Sequence, residues 1–155
     1  MNFNKENVIA VRVYDAELEG GILEGDVGLF EKENTMRLDY DLSGKWKFRT
    51  GDNPNWKNQK YNDENWDKIF VPGFWEAQGY YDYDGFAWYR LTFTTPEELK
   101  SKKLVLSLGK IDDIDEAYLN GKLIGSTGSM YGENIEYNKA REWEQSRGYF
   151  IPDGL

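Results

Sequence analysis

The feature that most constrains this chain is the shortness of its apolar runs and the turns that separate them. Val8–Tyr14 is an uninterrupted, β-branched run. Gly44–Arg49 alternates, with Trp46 and Phe48 on one face and Lys45, Lys47 and Arg49 on the other. Ile69–Val71, Trp88–Thr94, Lys103–Leu108, Glu116–Leu119, Leu123–Ile124 and Tyr149–Ile151 are further strand candidates. Between them lie Gly51-Asp-Asn-Pro54, Pro72-Gly73 and Asn120-Gly121, the last a tight hairpin signal. Asn62–Trp66 reads as a short helical turn capped by Asn62 or Asp63, with Trp66 pinning it against a sheet, and Pro96–Leu99 reads as a turn or helical start. The glycines at 20, 21, 25 and 28 read as tight turns or close backbone approaches, and residues 29–38 as an irregular crossing. No segment sustains a helical apolar period. The fold class that follows is all-β: an antiparallel β-sandwich or jelly roll. A nucleotide-binding α/β fold is excluded, because no glycine-rich phosphate fingerprint joins a strand to a helix.

With 155 residues the chain is the size of one domain with one sizeable core. It is too short for a hydrolase barrel of about 250 residues. The net charge of −9 argues against nucleic acid as a partner, since binding a phosphate backbone calls for a basic footprint. Cysteine and histidine are both absent, so there is no disulfide, thiolate nucleophile, imidazole base or cysteine/histidine metal cluster. No run of about 20 apolar residues marks a membrane span. The start, Met1–Glu6, lacks the basic stretch and apolar core of a signal peptide. These features leave the compartment open.

Aromatic residues make up 16% of the chain, which is high for its size; such rings fill sandwich cores and also line carbohydrate or protein contacts, and most of them read as structural. Trp46 and Phe48 read as core. The strongest local candidate for a binding surface is Trp75–Gly85, where rings alternate with carboxylates and an amide. Flat rings suit the C–H face of a pyranose, and Glu76, Asp82 and Asp84 can bond sugar hydroxyls. The candidate ligand residues are Trp75, Glu76, Tyr80, Tyr81, Asp82, Asp84 and, at the start of the next strand, Trp88, whose ring reads first as core packing and second as a stacking face. The competing reading packs this loop on its own domain or on a neighbouring one.

Asp112, Asp113 and Asp115 form an oxygen-rich run that is a candidate for a structural calcium, although its spacing is not that of an EF-hand loop. The alternative is that they accept backbone N–H groups at a turn or pair with Arg90. No other cofactor is indicated. Glu76 and Asp84 are conceivable as a glycosidase pair, but nothing separates them from surface acids. Residues 126–147 are long and polar enough for a lid or binding loop, with Tyr131, Tyr137, Trp143, Arg141 and Arg147 among them.

Several motifs together resemble one family. They are Leu42-Ser-Gly-Lys-Trp-Lys-Phe48, Tyr61–Trp66, Val71-Pro-Gly-Phe-Trp-Glu76, Tyr83–Arg90, Leu108–Asp115 and Tyr118–Lys122. They resemble the sugar-binding, galactose-binding-like jelly-roll domain of glycoside hydrolase family 2 enzymes, the β-galactosidase and β-glucuronidase group; sialate O-acetylesterases carry a similar domain. The resemblance implies a single jelly-roll domain over 1–155. It implies a non-catalytic role as a carbohydrate-binding or accessory module beside a separate catalytic domain. A purely structural domain docked on that catalytic domain, or a fragment of a glycosidase or esterase, is the alternative. Arg147 with Tyr149 resembles the family's lead-in to its penultimate strand, so Arg147 reads as structural.

The order of segments departs from the family. Residues 1–30, with Asn7–Asp15 and Gly20-Gly-Ile22, resemble the family's closing strand and glycine turn, whereas 42–155 resemble the rest of the domain. The expectation is a circular permutation or a cut across tandem domains. If residues 8–14 of the same chain fill the place of the missing strand, the result is a permuted monomer; if those of a partner chain fill it, the result is a domain-swapped homodimer.

Overall fold

The computed structural model describes residues 1–15, 20–31, 39–130 and 142–155. Its strands are β1 (Glu6–Asp15), β2 (Gly21–Glu31), β3 (Tyr40–Asp41), β4 (Gly44–Thr50), β5 (Asp67–Val71), β6 (Gly73–Phe74), β7 (Gly85–Thr94), β8 (Leu104–Ile111), β9 (Ile114–Leu119), β10 (Lys122–Thr127) and β11 (Ser146–Phe150). Among the described residues these form an antiparallel β-sandwich. One sheet has six strands in the order β10-β9-β1-β7-β4-β5. The other has the order β11-β8-β2-β3, with β6 pairing β2. The only helical pieces described are short 3-10 turns at Pro54–Lys57, Glu76–Gln78, Glu97–Leu99 and Glu142–Glu144.

The first strand of the chain occupies the middle of the six-stranded sheet. Glu6–Asp15 pairs in register with Thr94–Gly85 of β7 on one side, and Ile9–Tyr14 pairs with Leu119–Ile114 of β9 on the other. Its β-branched residues explain the position. Ile9, Val11 and Val13 are fully buried between the sheets, where they meet Leu29, Leu106 and Leu108 in one core cluster. Each such side chain contributes roughly 1.5–3 kcal/mol when removed from water. Trp46 and Phe48 join the same core, as their alternation predicts.

Three local expectations are corrected. The glycine-rich stretch 20–28 belongs largely to strand β2, whose register against β8 shifts at Ile22/Glu24 and Glu24/Val27. Glycine is needed at those shifts: Gly109 has φ +63°, and a Cβ there would lie 2.0 Å from the Glu24 carbonyl oxygen. Residues 29–31 also belong to β2, while 32–38 lie outside the described residues. Asn62–Trp66 is a turn without a helix: the Asn62 side chain accepts from the Glu64 N–H at 2.9 Å, and the Trp66 N–H donates to the Asp63 carbonyl at 3.1 Å.

The two outer faces are covered differently. Over the six-stranded sheet, residues 51–66 lay Trp56 and Trp66 on Ala10, Trp88 and Tyr118, which form a second buried cluster. Trp88 and Tyr118 stack with centroids 5.8 Å apart. Arg90, 1% exposed, ties this cover down. Its guanidinium donates to Asp63 at 2.8 Å and to the carbonyls of Trp56 and Asn58.

Candidate functional site

The 75–85 segment is anchored at the β5 edge of the six-stranded sheet. Gln78, at the end of a 3-10 turn, bonds the free edge of β5. Its amide oxygen accepts from the Phe70 N–H at 2.6 Å, and its Nε2 donates to the carbonyls of Phe70 and Phe74 at 3.0 and 3.1 Å. The side chain thus satisfies the outward backbone N–H and C=O of Phe70 at the edge of the sheet. Gly79 ends the turn in the left-handed region at φ +108°.

The expected ligand residues then separate into three groups. Trp75 and Trp88 are inside. Trp75 is fully buried against Phe48 and Tyr83, with centroids 5.8 and 5.7 Å away. Trp88 lies in the cluster under residues 51–66, where its Nε1 donates to Asp52 at 3.0 Å. Neither ring presents a face to solvent: Trp88 takes the core position that its strand also offered, and the expectation that Trp75 stacks on a ligand at the surface is corrected.

Glu76 and Tyr80 form the second group, held by internal bonds. Glu76 Oε1 accepts the Gly20 N–H at 2.9 Å, while Oε2 is buried and has no hydrogen-bond partner among the described residues. The Tyr80 hydroxyl donates to Asp67 at 2.7 Å, and its ring meets Phe48 edge-on at 4.6 Å. Burial and the Asp67 carboxylate push the Tyr80 phenol above its ordinary range.

The third group faces water. Tyr81 is 74% exposed, and Asp82 and Asp84 on either side of Tyr83 are exposed as well. Asp82 sits in the left-handed region at φ +53°, tolerable for a short polar side chain. Tyr83 fixes this tip: its hydroxyl donates to the Phe86 carbonyl at 2.7 Å and accepts the Gly51 N–H at 3.1 Å. Thus the loop is secured at Tyr80 and Tyr83 and presents one ring with two carboxylates.

The acidic run 112–115 lies at the β8–β9 corner. Asp115 is fully buried and pairs with Arg147, Nε to Oδ1 at 2.8 Å, and it accepts the Tyr149 hydroxyl at 2.7 Å. Arg147 also donates to the Asp113 carbonyl at 2.8 Å. The pairing partner is therefore Arg147, not Arg90, whose guanidinium is committed to Asp63. Burial raises the Asp115 carboxyl and Arg147 opposes it. Asp112 is pushed up to about 6 by burial and by the neighbouring Asp113, with Glu76 adding to it. Among the described residues, no group of three or more carboxylates is arranged to hold a metal ion.

Residues 131–141, including Tyr131, Tyr137 and Arg141 of the expected lid, lie outside the described residues. On either side, β10 extends to Thr127 and Glu142–Glu144 forms a 3-10 turn before β11. Exposed rings that sequence reasoning missed are Phe70 and Phe74, at 56% and 39%, beside the Gln78 clamp, and Phe150 at 57%. Phe70 alternates with the buried Ile69 and Val71, and that signal was available.

Comparison with known proteins places the chain among distant relatives of glycoside hydrolases. It is 26% identical over 105 residues to a β-glucuronidase of Formosa agariphila, a match covering 59% of this chain and 11% of that protein. It is 26% identical over 124 residues to a β-galactosidase of Halalkalibacterium halodurans, covering 61% of this chain and 12% of that protein. The chain thus spans about an eighth or less of the curated relatives it matches. No family model matches it, and no solved structure matches it significantly.

Proposed function

We propose that this chain is a non-catalytic β-sandwich domain of a glycoside hydrolase, and that its 79–84 loop contacts carbohydrate. The observation that carries the reading is Tyr81, a 74% exposed ring between secured neighbours and beside the exposed carboxylates Asp82 and Asp84. A ring of this kind offers an apolar face to a pyranose, and the carboxylates accept its hydroxyls. Kinship with a β-glucuronidase and a β-galactosidase supports the association with sugars. One exposed ring makes a weak, reversible site, because ordering and polar desolvation offset its contacts.

A second reading is favoured by Phe70 and Phe74, which crowd the same edge. Lys45 lies 5.2 Å from the Phe70 ring centroid. Rings exposed beside a blocked strand edge suit docking on a catalytic domain of the parent protein. On either reading β1 takes the place of the family's closing strand. The segment order is then a circular permutation if β1 serves its own chain, or a domain swap if it serves a second copy.

An ¹H–¹⁵N NMR titration with galactose, glucuronic acid and xylose, preceded by a molar-mass measurement, tests this. Saturable shifts at Gly79–Gly85, abolished by Tyr81→Ala, are expected. A well-dispersed spectrum with no shift at millimolar sugar overturns the sugar contact and leaves the docking reading. A dimeric mass assigns β1 to the partner.

A further inference from the structure

Four cations of this acidic chain share a strip that the loop site does not use. β4 and β5 pair at one side of the six-stranded sheet. Trp46, Phe48, Ile69 and Val71 point inward to the core, so by alternation Lys45, Lys47, Arg49, Lys68 and Phe70 stand on the outer face. Trp56 and Trp66 cover β1, β7 and β9, and the strip lies between that cover and the β5 edge. Lys45, Arg49 and Lys68 are exposed, and Lys47 is half-buried.

Register sets like charges side by side. Lys47 is directly opposite Lys68 on one flank and Arg90 on the other, so three cations form a row across β5, β4 and β7. Like charges placed this way repel. One carboxylate answers the row: Asp63, 2.8 Å from Arg90. The Lys47 ammonium donates to the carbonyls of Asp63 and Glu64 at 2.9 and 3.2 Å, which fixes its charge without cancelling it. The Arg49 guanidinium lies 5.5 Å from the Trp56 centroid. Among the described residues, none of Lys45, Lys47, Arg49 and Lys68 has a carboxylate in ion-pair range. The bordering acids bond elsewhere: Asp67 accepts the Tyr80 hydroxyl, and Glu64 accepts the Asn62 amide at 3.4 Å. Other strand cations are answered, Arg12 by Asp52, Lys110 by Glu24 and Arg147 by Asp115. The chain holds 28 acidic residues to 19 basic ones, so partners are plentiful. Four unanswered charges in one place call for an anion from outside.

We propose that the outer face of β4 and β5 binds a carboxylated polysaccharide, a chain of uronic acids laid along β4. Lys45, Lys47 and Arg49 recur about 7 Å apart, with Lys68 about 5 Å to the side. The charge is therefore drawn out along a line, which suits a ligand charged at intervals along its length. Phe70, 56% exposed, has the Lys45 ammonium 5.2 Å from its centroid, so ring and charge act as a unit. A uronic acid presents the matching pair, a C–H face and a carboxylate. The choice of a sugar among polyanions rests on the reading of this domain as sugar-associated. Nucleic acid fits less well, because a net charge of −9 repels a phosphate backbone beyond the strip. A protein docked through the strip alone would bury less than the roughly 600 Å² per partner of a small stable interface.

The experiment is an NMR titration of the whole chain, at low salt, with galacturonate and mannuronate oligomers of three to six units. Neutral galacto-oligosaccharides of the same lengths and a poly-glutamate peptide are the controls. For at least one uronate series, saturable shifts are expected at Lys45–Arg49 and Lys68, and physiological salt should weaken binding severalfold. Lys45→Gln combined with Lys68→Gln should weaken it at least tenfold. Lys100→Gln combined with Lys110→Gln removes the same charge from paired positions and should change it less than twofold. Dispersed spectra of the variants establish that they fold. The strip and the 79–84 loop share no residue, so shifts confined to that loop would overturn this proposal and leave the loop reading standing. Equal shifts from the neutral sugars, equal affinity for poly-glutamate, or a concentration-dependent mass lost in the Lys45/Lys68 variant would also overturn it.

Discussion

The two outer faces of this sandwich use aromatic residues for opposite ends. Over the six-stranded sheet, Trp56, Trp66, Trp88 and Tyr118 meet one another and vanish from the surface. Over the five-stranded sheet, Phe30 and Phe150 flank Val105 with no described tryptophan laid on them, and Phe150 remains 57% exposed. The difference lies in what crosses each face. Residues 51–66 bring two tryptophans and a set of carbonyls over the first sheet, and Arg90 rises from β7 to meet those carbonyls. Arg12 repeats the device from β1. It grips Asp52 through two bonds at 2.7 and 2.5 Å and lies 4.2 Å from the Phe86 centroid. Burial alone would raise the Asp52 carboxyl, but the bonds from Arg12 and Trp88 outweigh it and hold it below its ordinary range. A high aromatic content thus has two meanings in one molecule: rings buried under a cover on one face, and rings partly exposed on the other.

Removing the cation that fastens the cover should have the largest effect. Arg90→Met leaves Asp63 without its ion pair and the carbonyls of Trp56 and Asn58 without their donor. Breaking a buried pair from one side costs about 3–5 kcal/mol. Asp63 is 21% exposed and recovers part of that through water, so about 3 kcal/mol is expected. Urea denaturation of wild type and variant measures it. A loss under 1 kcal/mol would mean that the aromatic cluster holds residues 51–66 without the arginine, and that the contrast between the faces is one of packing alone.

The rim between the sheets supplies an intermediate case with a pH signature. Asp112 is raised to about 6 in the folded chain, against an ordinary 3.8. The native state therefore binds the proton more tightly than the unfolded chain does. Stability is highest with the proton on, and it falls as pH rises from about 4 through about 6. Asp112→Asn removes this titration. After discounting for solvent screening, the variant should gain about 1 kcal/mol at pH 7, and the gain should fade below pH 4. Thermal melts at pH 3.5, 5 and 7 check the trend; a gain independent of pH would remove the carboxylate as its source.

Much of the frame was legible in the sequence, because it rests on patterns within single segments. Trp46 and Phe48 alternate with lysines, and Ile9, Val11 and Val13 are β-branched, so their strands and buried faces follow locally. What the sequence hid depends on contacts between distant segments. Trp75 and Tyr81 sit in one aromatic loop with similar neighbours, yet one is fully buried and the other 74% exposed, since only the packing of Phe48 and Tyr83 decides it. Asp115 chose Arg147 over Arg90 because β11 follows β8 back past the β8–β9 corner. The row Lys68, Lys47 and Arg90 is invisible in one dimension, for its members come from three strands and meet only through register.

The smallest effect is the one on the outer face of the five-stranded sheet. Phe150→Ala removes a large apolar side chain, a change that costs about 3–5 kcal/mol in a core. At 57% exposure the ring recovers little area on folding, and it stands on the outer side of β11, away from the cluster that Tyr149 packs against. A loss of about 0.5 kcal/mol or less is therefore expected in urea denaturation. The matching change under the other face, Trp66→Ala, removes a ring buried between Trp56 and Tyr61 and should cost several times as much. Equal losses for the two would mean that Phe150 is fastened to its own chain as firmly as Trp66 is. The outer face of the five-stranded sheet would then hold its rings as firmly as the other face does.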